Sequence, residues 1–284
     1  MRNLQVGDYR RITVTPIAGS LGAELGGVDL ADLDDETVAE IRRAWLDHLV
    51  VFFRDQGHLD NDSYLAFAQR IGTPVEYPFV KGFDEHPEII AVKKLAHETV
   101  NFGGIWHADT TYLPQPPMAT MLLAREIPPA GGDTMFANQY DAFDALSPAM
   151  QALLTPLRAI SSSALADVSK TREDRLKDSG DESAQAVYEA SHPVVRVHPE
   201  TGRTALYVNI AHTARFEGMT DEESRPLLQY LFQHQVRPEF TVRFRWEVGS
   251  LAMWDNRCAQ HNPVNDYHGY QRVMHRITLE GTTP

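Results

Sequence analysis

The chain has a single cysteine, Cys258, among its 284 residues, so no internal disulfide can form and a reducing compartment suits it. It has no run approaching the roughly 20 apolar residues of a membrane span. Its opening stretch, "MRNLQVGDYRRITVTPI", carries no apolar segment behind its basic residues, so a signal peptide is not expected and a cytoplasmic protein is. Positive charge is also scarce. Twenty-six Lys and Arg against 39 Asp and Glu give a net charge of -13, which argues against nucleic-acid binding, where cations must neutralise phosphate. Repeats, low-complexity tracts and convincing linkers are missing as well. The expectation is one domain over 1–284, without membrane or nucleic-acid partners, and a homo-oligomer.

What the chain does have is a mixture of short strands and a few helices. "YRRITVTPIAGSLGAELGGVDL" alternates β-branched residues with glycines and reads as short strands with tight turns. In "DLDDETVAEIRRAWLDHL", Asp34 or Asp35 can cap a helix whose apolar stripe is Val38, Ile41, Ala44 and Trp45. "VVFFRDQ" reads as a buried strand, and "LDNDSYLAFAQRIG" as a second helix capped by Asp60 or Asn61 and stopped by Gly72. Residues 138–158 are expected to be helical, with Ser147-Pro148 as a start signal. Residues 162–190 are polar and charged, and are expected to form a mobile excursion or lid. "HPVVRVHPETGRTALYVN" carries a hairpin signature, "TDEESRPLLQYLFQHQ" a capped helix, and "FTVRFRW", "SLAMWD" and "RVMHRITLEG" are strands. Many strands with few helices predict a mainly β fold, a sandwich or barrel carrying helices outside.

Chemistry centres on "GGIWHADTTY", where His107 and Asp109 stand two residues apart. If Phe102–Tyr112 is a strand or its frayed end, both side chains point to one face, because strand side chains alternate with period two. A second His-x-Asp, His58-Leu-Asp60, is explained by Asp60 acting as a helix cap. The best third ligand is His261 in "MWDNRCAQHNPVNDY", which follows the buried-looking strand Ser250–Trp254 and precedes the turn-forming Asn262-Pro263. Two histidines and a carboxylate with open positions suit a non-haem iron(II) oxygenase. His192, His198, His212, His234 and His275 have structural readings. Arginines gather late in the chain, at Arg237, Arg243, Arg245, Arg257, Arg272 and Arg276. A local pocket for an anion is therefore compatible with the acidic whole.

In order, "WHADTTY", "GGDTMFAN", "MWDNRCAQH" and "QRVMHRIT" resemble the iron(II)- and 2-oxoglutarate-dependent dioxygenases typified by taurine dioxygenase. The resemblance begins at "ITVTPIAGSLGAELGGVDL" and covers nearly the full chain. It implies a double-stranded β-helix, or jelly roll, with helices packed outside. Fe(II), 2-oxoglutarate and O2 would be the cofactor and cosubstrates, and His107, Asp109 and His261 the iron ligands. An arginine eleven residues beyond the distal histidine binds the distal carboxylate of 2-oxoglutarate in the family. Here that is Arg272, with the hydroxyl of Thr134 beside it; a guanidinium meets a carboxylate in bidentate fashion. Arg276, four residues on and on the same strand face, would hold the anionic group of the primary substrate.

Two departures from taurine-cleaving members stand out. Tyr77 and Gly103 occupy positions that carry a polar histidine and asparagine there, and with Phe102 they imply a roomier, more aromatic pocket. The expected substrate is a small organic anion, with an aromatic or bulky carboxylate favoured. A sulfate or sulfonate, as in alkylsulfatases or taurine enzymes, is the alternative. The remote rivals are a zinc hydrolase on the same ligands and a non-catalytic jelly roll that holds an anion.

Overall fold

A computed structural model describes residues 8–101, 103–165 and 187–284. The expected excursion at 162–190 lies for its greater part outside the described residues. The chain opens with β1 (Thr13–Pro16), β2 (Ala23–Gly26), α1 (Asp35–His48), β3 (Val50–Phe53), α2 (Asn61–Ile71), β4 (Pro74–Val75) and β5 (Ile89–Lys94). It continues with β6 (Ala119–Glu126), β7 (Thr134–Asn138), α3 (Gln139–Asp144), α4 (Pro148–Leu154), β8 (Arg158–Ser162), β9 (Glu189–Pro193), β10 (Val195–Val197) and β11 (Thr204–Leu206). It ends with β12 (Thr213–Phe216), α5 (Asp221–His234), β13 (Thr241–Phe244), β14 (Leu251–Asp255), β15 (Ala259–Pro263) and β16 (Arg272–Leu279). No helix of the described residues is long and apolar enough to cross a membrane.

The helix starts follow from side-chain chemistry. Asp34 accepts from the Thr37 amide and Asp60 from the Ser63 amide, each satisfying an amide that the first turn leaves unpaired. Asp60 is thus a cap, and His58 pairs instead with Asp29 at 2.7 Å. Thr220 and Glu223 form a reciprocal capping box at the start of α5. Gly72 ends α2 in an extended conformation, and a β-carbon there would come within 2.9 Å of Met118. The helix expected over 138–158 is two short ones: Ser147 caps a fresh start at Pro148, and the chain has already turned into β8 by Arg158.

An eight-stranded sheet runs β1-β2-β3-β14-β6-β16-β4, with β5 also paired to β16. A three-stranded sheet, β13-β7-β15, faces it. Period-two alternation sorts the large sheet's side chains cleanly. Val51, Phe53, Met121, Leu123, Met253, Ile277 and Leu279 point to a core shared with Ile41 and Trp45 of α1 and Phe67 of α2. Their neighbours Val50, Phe52, Leu122, Ala252, Trp254 and Met274 point the other way, onto Phe136, Val242, Phe244 and Ala259 of the small sheet. Phe52 stacks on Phe244 at 3.9 Å between ring centroids, which marks how closely the two sheets approach. The strands are buried on both faces and read as apolar runs for that reason. A third cluster packs α4 and α5 against β8 and β12.

Candidate metal centre and active site

His107 does not lie in a strand. It makes one isolated antiparallel bridge with His261, through the His107 amide to the His261 carbonyl at 3.0 Å and the reverse at 2.8 Å. The chain then leaves the sheet in a turn, with Thr110 at φ 41. The period-two argument therefore does not place Asp109. What places it is a set of hydrogen bonds. Its amide donates to Asn256 Oδ1 at 3.3 Å, and its Oδ2 accepts from the Thr120 hydroxyl at 2.6 Å. Asn256 in turn donates to Thr120 and accepts from the Trp254 indole, so β14 and β6 both fix the carboxylate. His261 sits on β15, paired with β7 and flanked by the Trp254 ring at 4.6 Å.

The remaining carboxylate oxygen, Asp109 Oδ1, faces His107 Nε2 at 3.8 Å and His261 Nε2 at 4.0 Å. Two bonds to a first-row metal span about 4.2 Å, so one ion can bridge each of these pairs. All three residues are buried, and their ligand atoms lie within 4.8 Å of one another. His107 Nδ1 lies 2.7 Å from the Ile105 carbonyl, which fixes the tautomer and leaves Nε2 with its lone pair free for a metal. Burial pushes the pKa of both histidines below the usual value. Burial would raise Asp109, but Arg276, His261 and His107 together hold it well below the ordinary carboxylate range. The donor set is therefore two neutral imidazoles and a carboxylate, as iron(II) requires.

Arg276 lies 3.0 Å from Asp109 Oδ1 and over the Tyr77 ring at 4.7 Å. Its NH2 makes this ion pair, and its Nε is buried without a hydrogen-bond partner within the protein. Arg272 and Arg276 are both on the face of β16 that carries Met274 between the sheets, as their spacing predicted. Arg272 is buried with Nε and NH2 unpartnered. Its guanidinium lies 5.6 Å from the Trp246 ring, whose indole donates to Thr134 Oγ1 at 2.9 Å. Arg272 and Thr134 thus meet around Trp246. A buried guanidinium with free donors is costly unless an anion joins it, and a 2-oxoglutarate carboxylate fits that need.

A cavity of about 140 Å³ opens on His107 and Asp109, lined also by Tyr77, Gly103, Tyr112 and His212 among others. Tyr77, Phe79 and Tyr112 form an edge-to-face aromatic wall. Phe102 lies outside the described residues. Gly103 corrects a reading: its φ is +70, and a β-carbon there would stand 2.9 Å from the His107 ring. The glycine lets the backbone approach the ligand and does not free space for a larger substrate. Sequence reasoning missed Thr120, which lies outside the four motifs, and Asn256, which lies inside "MWDNRCAQH" but was given no role there. It also set His212 aside, although that ring sits 6.0 Å from His107 and its pKa is pushed down to about 3, by burial first and then by His107.

A second cluster, His198, Asp255 and Cys258, also has metal-like spacing. Its carboxylate is already saturated. Arg257 donates to both Asp255 oxygens, at 2.8 and 2.7 Å, and His198 lies 3.0 Å away. This group ties β14 to the β10–β11 hairpin.

The model of the "Taurine catabolism dioxygenase TauD, TfdA family" matches residues 13–278. A Pseudomonas putida "Alpha-ketoglutarate-dependent sulfate ester dioxygenase" is 38% identical over 96% of this chain and 91% of its own length. An Acinetobacter baylyi "Alkylsulfatase" is 35% identical over 96% of this chain and 86% of its own. A Sphingobium herbicidovorans "(S)-phenoxypropionate/alpha-ketoglutarate-dioxygenase" is 30% identical over 94% of each. Among solved structures, a taurine dioxygenase from Burkholderia xenovorans superposes with a TM-score of 0.81 at 37% identity, covering 96% of this chain and 92% of that one.

Proposed function

The chain belongs to the TauD, TfdA family of Fe(II)/2-oxoglutarate-dependent dioxygenases, and from that premise we propose that it oxidises a small alkyl sulfate ester. Arg276 carries the reading. Between Tyr77 and Asp109, which both line the cavity, it pairs with Asp109 through NH2 and keeps a buried Nε without a hydrogen-bond partner. A sulfate group presents several oxygens to such a fork. Val100 and Ile105, exposed apolar side chains on the cavity lining, suit an alkyl tail better than the ammonium of taurine. The relatives named for sulfate esters and alkyl sulfates are more similar to this chain than the one named for phenoxypropionate.

In this reading His107, Asp109 and His261 hold iron(II), and Arg272 with Thr134 binds the distal carboxylate of 2-oxoglutarate. Thr120 and Asn256 keep Asp109 oriented, and Arg276 holds the sulfate so that the adjacent carbon faces the metal. When bound, iron(II) with 2-oxoglutarate and O2 hydroxylates a substrate C–H while giving succinate and CO2. Hydroxylation at the carbon bearing the sulfate oxygen makes a hemiacetal-like ester, which breaks into an aldehyde and hydrogen sulfate. A zinc hydrolase on the same ligands would leave the unpartnered Arg272 without a purpose. We also read the two facing sheets as the double-stranded β-helix that the resemblance implies.

The aromatic or bulky carboxylate first favoured becomes the second reading. Tyr77, Phe79 and Tyr112 still speak for it, but Gly103 no longer does. The test measures succinate and free sulfate with a medium-chain alkyl sulfate, taurine and an aryloxyalkanoate, each with iron(II) and 2-oxoglutarate. We expect the alkyl sulfate to have the highest kcat/KM, with sulfate and succinate released in equal amounts. A higher value for the aryloxyalkanoate would reverse the order of the two readings.

A further inference from the structure

Lys94, the last residue of β5, is 3% exposed, and its Nζ makes no hydrogen bond. Among the described residues its partner is the Tyr267 ring, 4.4 Å from the ammonium. A ring face offsets only part of the cost of burying a charge. The side chain points inward: Val92, two residues back, packs between the sheets, whereas Ile89 points to the helix side. Lys94 is the direct register partner of Arg272 on β16. Directly opposed side chains lie roughly 5 Å apart at Cβ, and like charges so placed repel.

Two buried cations therefore stand side by side, each with unpartnered donors. The nearby carboxylates are engaged elsewhere. Asp133 and Asp266 pair with Arg243, and Glu98 accepts from the Leu95 amide. Among the described residues no carboxylate pairs with Lys94 or Arg272. Such an arrangement favours an anion brought from outside, and the anion must reach both heads.

We propose that Lys94 is a second anchor for the distal carboxylate of 2-oxoglutarate, acting beside Arg272. This rests on the reading of Arg272 given above and extends it to a residue outside the family-like motifs. Arg272 approaches the carboxylate from β16, and Lys94 approaches it from β5. Two cations specify a 2-oxo acid that ends in a carboxylate, so Lys94 contributes to the choice of cosubstrate as well as to its affinity.

The test is calorimetric binding to the Mn(II)-loaded protein, without turnover, of 2-oxoglutarate and of 2-oxovalerate, which has the same chain length but no distal carboxylate. Lys94→Met should weaken 2-oxoglutarate on the order of ten- to a hundredfold, the range for a lost hydrogen bond between charged groups. It should leave 2-oxovalerate within about twofold, because that ligand never meets the ammonium. Lys94→Arg should retain most of the affinity. Lys94→Gln, which keeps a donor and nearly the same bulk, replaces the methionine variant if thermal melting shows that variant unfolded. An unchanged 2-oxoglutarate Kd, or equal weakening of both ligands, overturns the proposal. If Arg272→Leu also leaves 2-oxoglutarate binding intact, the carboxylate anchor itself lies elsewhere and both readings fall.

Discussion

At the scale of single residues, burial decides which titrations matter. His275 lies on β16 between the two inward arginines in sequence, but on the opposite face. Its Nδ1 accepts from Arg125 Nε at 3.3 Å, an interaction that only the neutral ring can make. Burial first, and then the Arg125 charge, push its pKa down to about 4. The unfolded chain takes up this proton near pH 6.5, and the folded chain resists it. The unfolded state therefore binds more protons between about pH 6.5 and 4, so stability rises with pH across that window. The contribution is complete above pH 6.5 and is lost progressively as pH falls towards 4. We expect His275→Phe to flatten the dependence of Tm on pH within this window. An equally steep dependence in the variant would assign the effect to other groups.

At the scale of elements, β16 does more than any other segment to build the site. Arg272, Met274 and Arg276 share its inward face, and Met274, fully buried between the sheets, spaces the two arginines. Met274→Ala should cost about 2–5 kcal/mol of unfolding free energy, the usual range for a large-to-small change in a packed core. Urea denaturation measures it, and a loss under about 1 kcal/mol would mean that the two sheets close around the gap. This strand was legible in the sequence because alternation with period two survives burial on both faces. The segment around His107 was not. A strand there was the condition of the same-face argument, yet the segment makes one bridge and turns at Thr110. His107 and Asp109 still converge, because Thr120, a short way along the chain, holds the carboxylate, and Asn256, far along it, holds the Asp109 amide and Thr120. The helix expected at 138–158 broke for a local reason that the sequence did contain: Ser147-Pro148 starts a helix and does not continue one.

At the scale of the whole molecule, the metal centre sits where the chain's halves meet. His107 and Asp109 come from the first half and His261 from the second, and backbone bonds between His107 and His261 join them. The backbone pairing of these distant segments was not readable from local pattern; the context of His261 and the order of the motifs pointed only to shared ligation. Metal bound at this point links those segments in the folded state, and the unfolded chain offers no such preformed site. Stability should therefore depend on metal by mass action, by about 2.7 kcal/mol when free metal is one hundred times Kd. For a chain of this size that is a rise in Tm on the order of 4–10 °C, which EDTA should reverse. The same addition to Asp109→Ala should move Tm by no more than about 1 °C, since two neutral imidazoles alone hold a hard divalent ion weakly. Mn(II) is the ion for this measurement because it avoids oxidation during heating. A rise of equal size in the variant would place the stabilising ion outside the triad, even if the enzyme remained a dioxygenase.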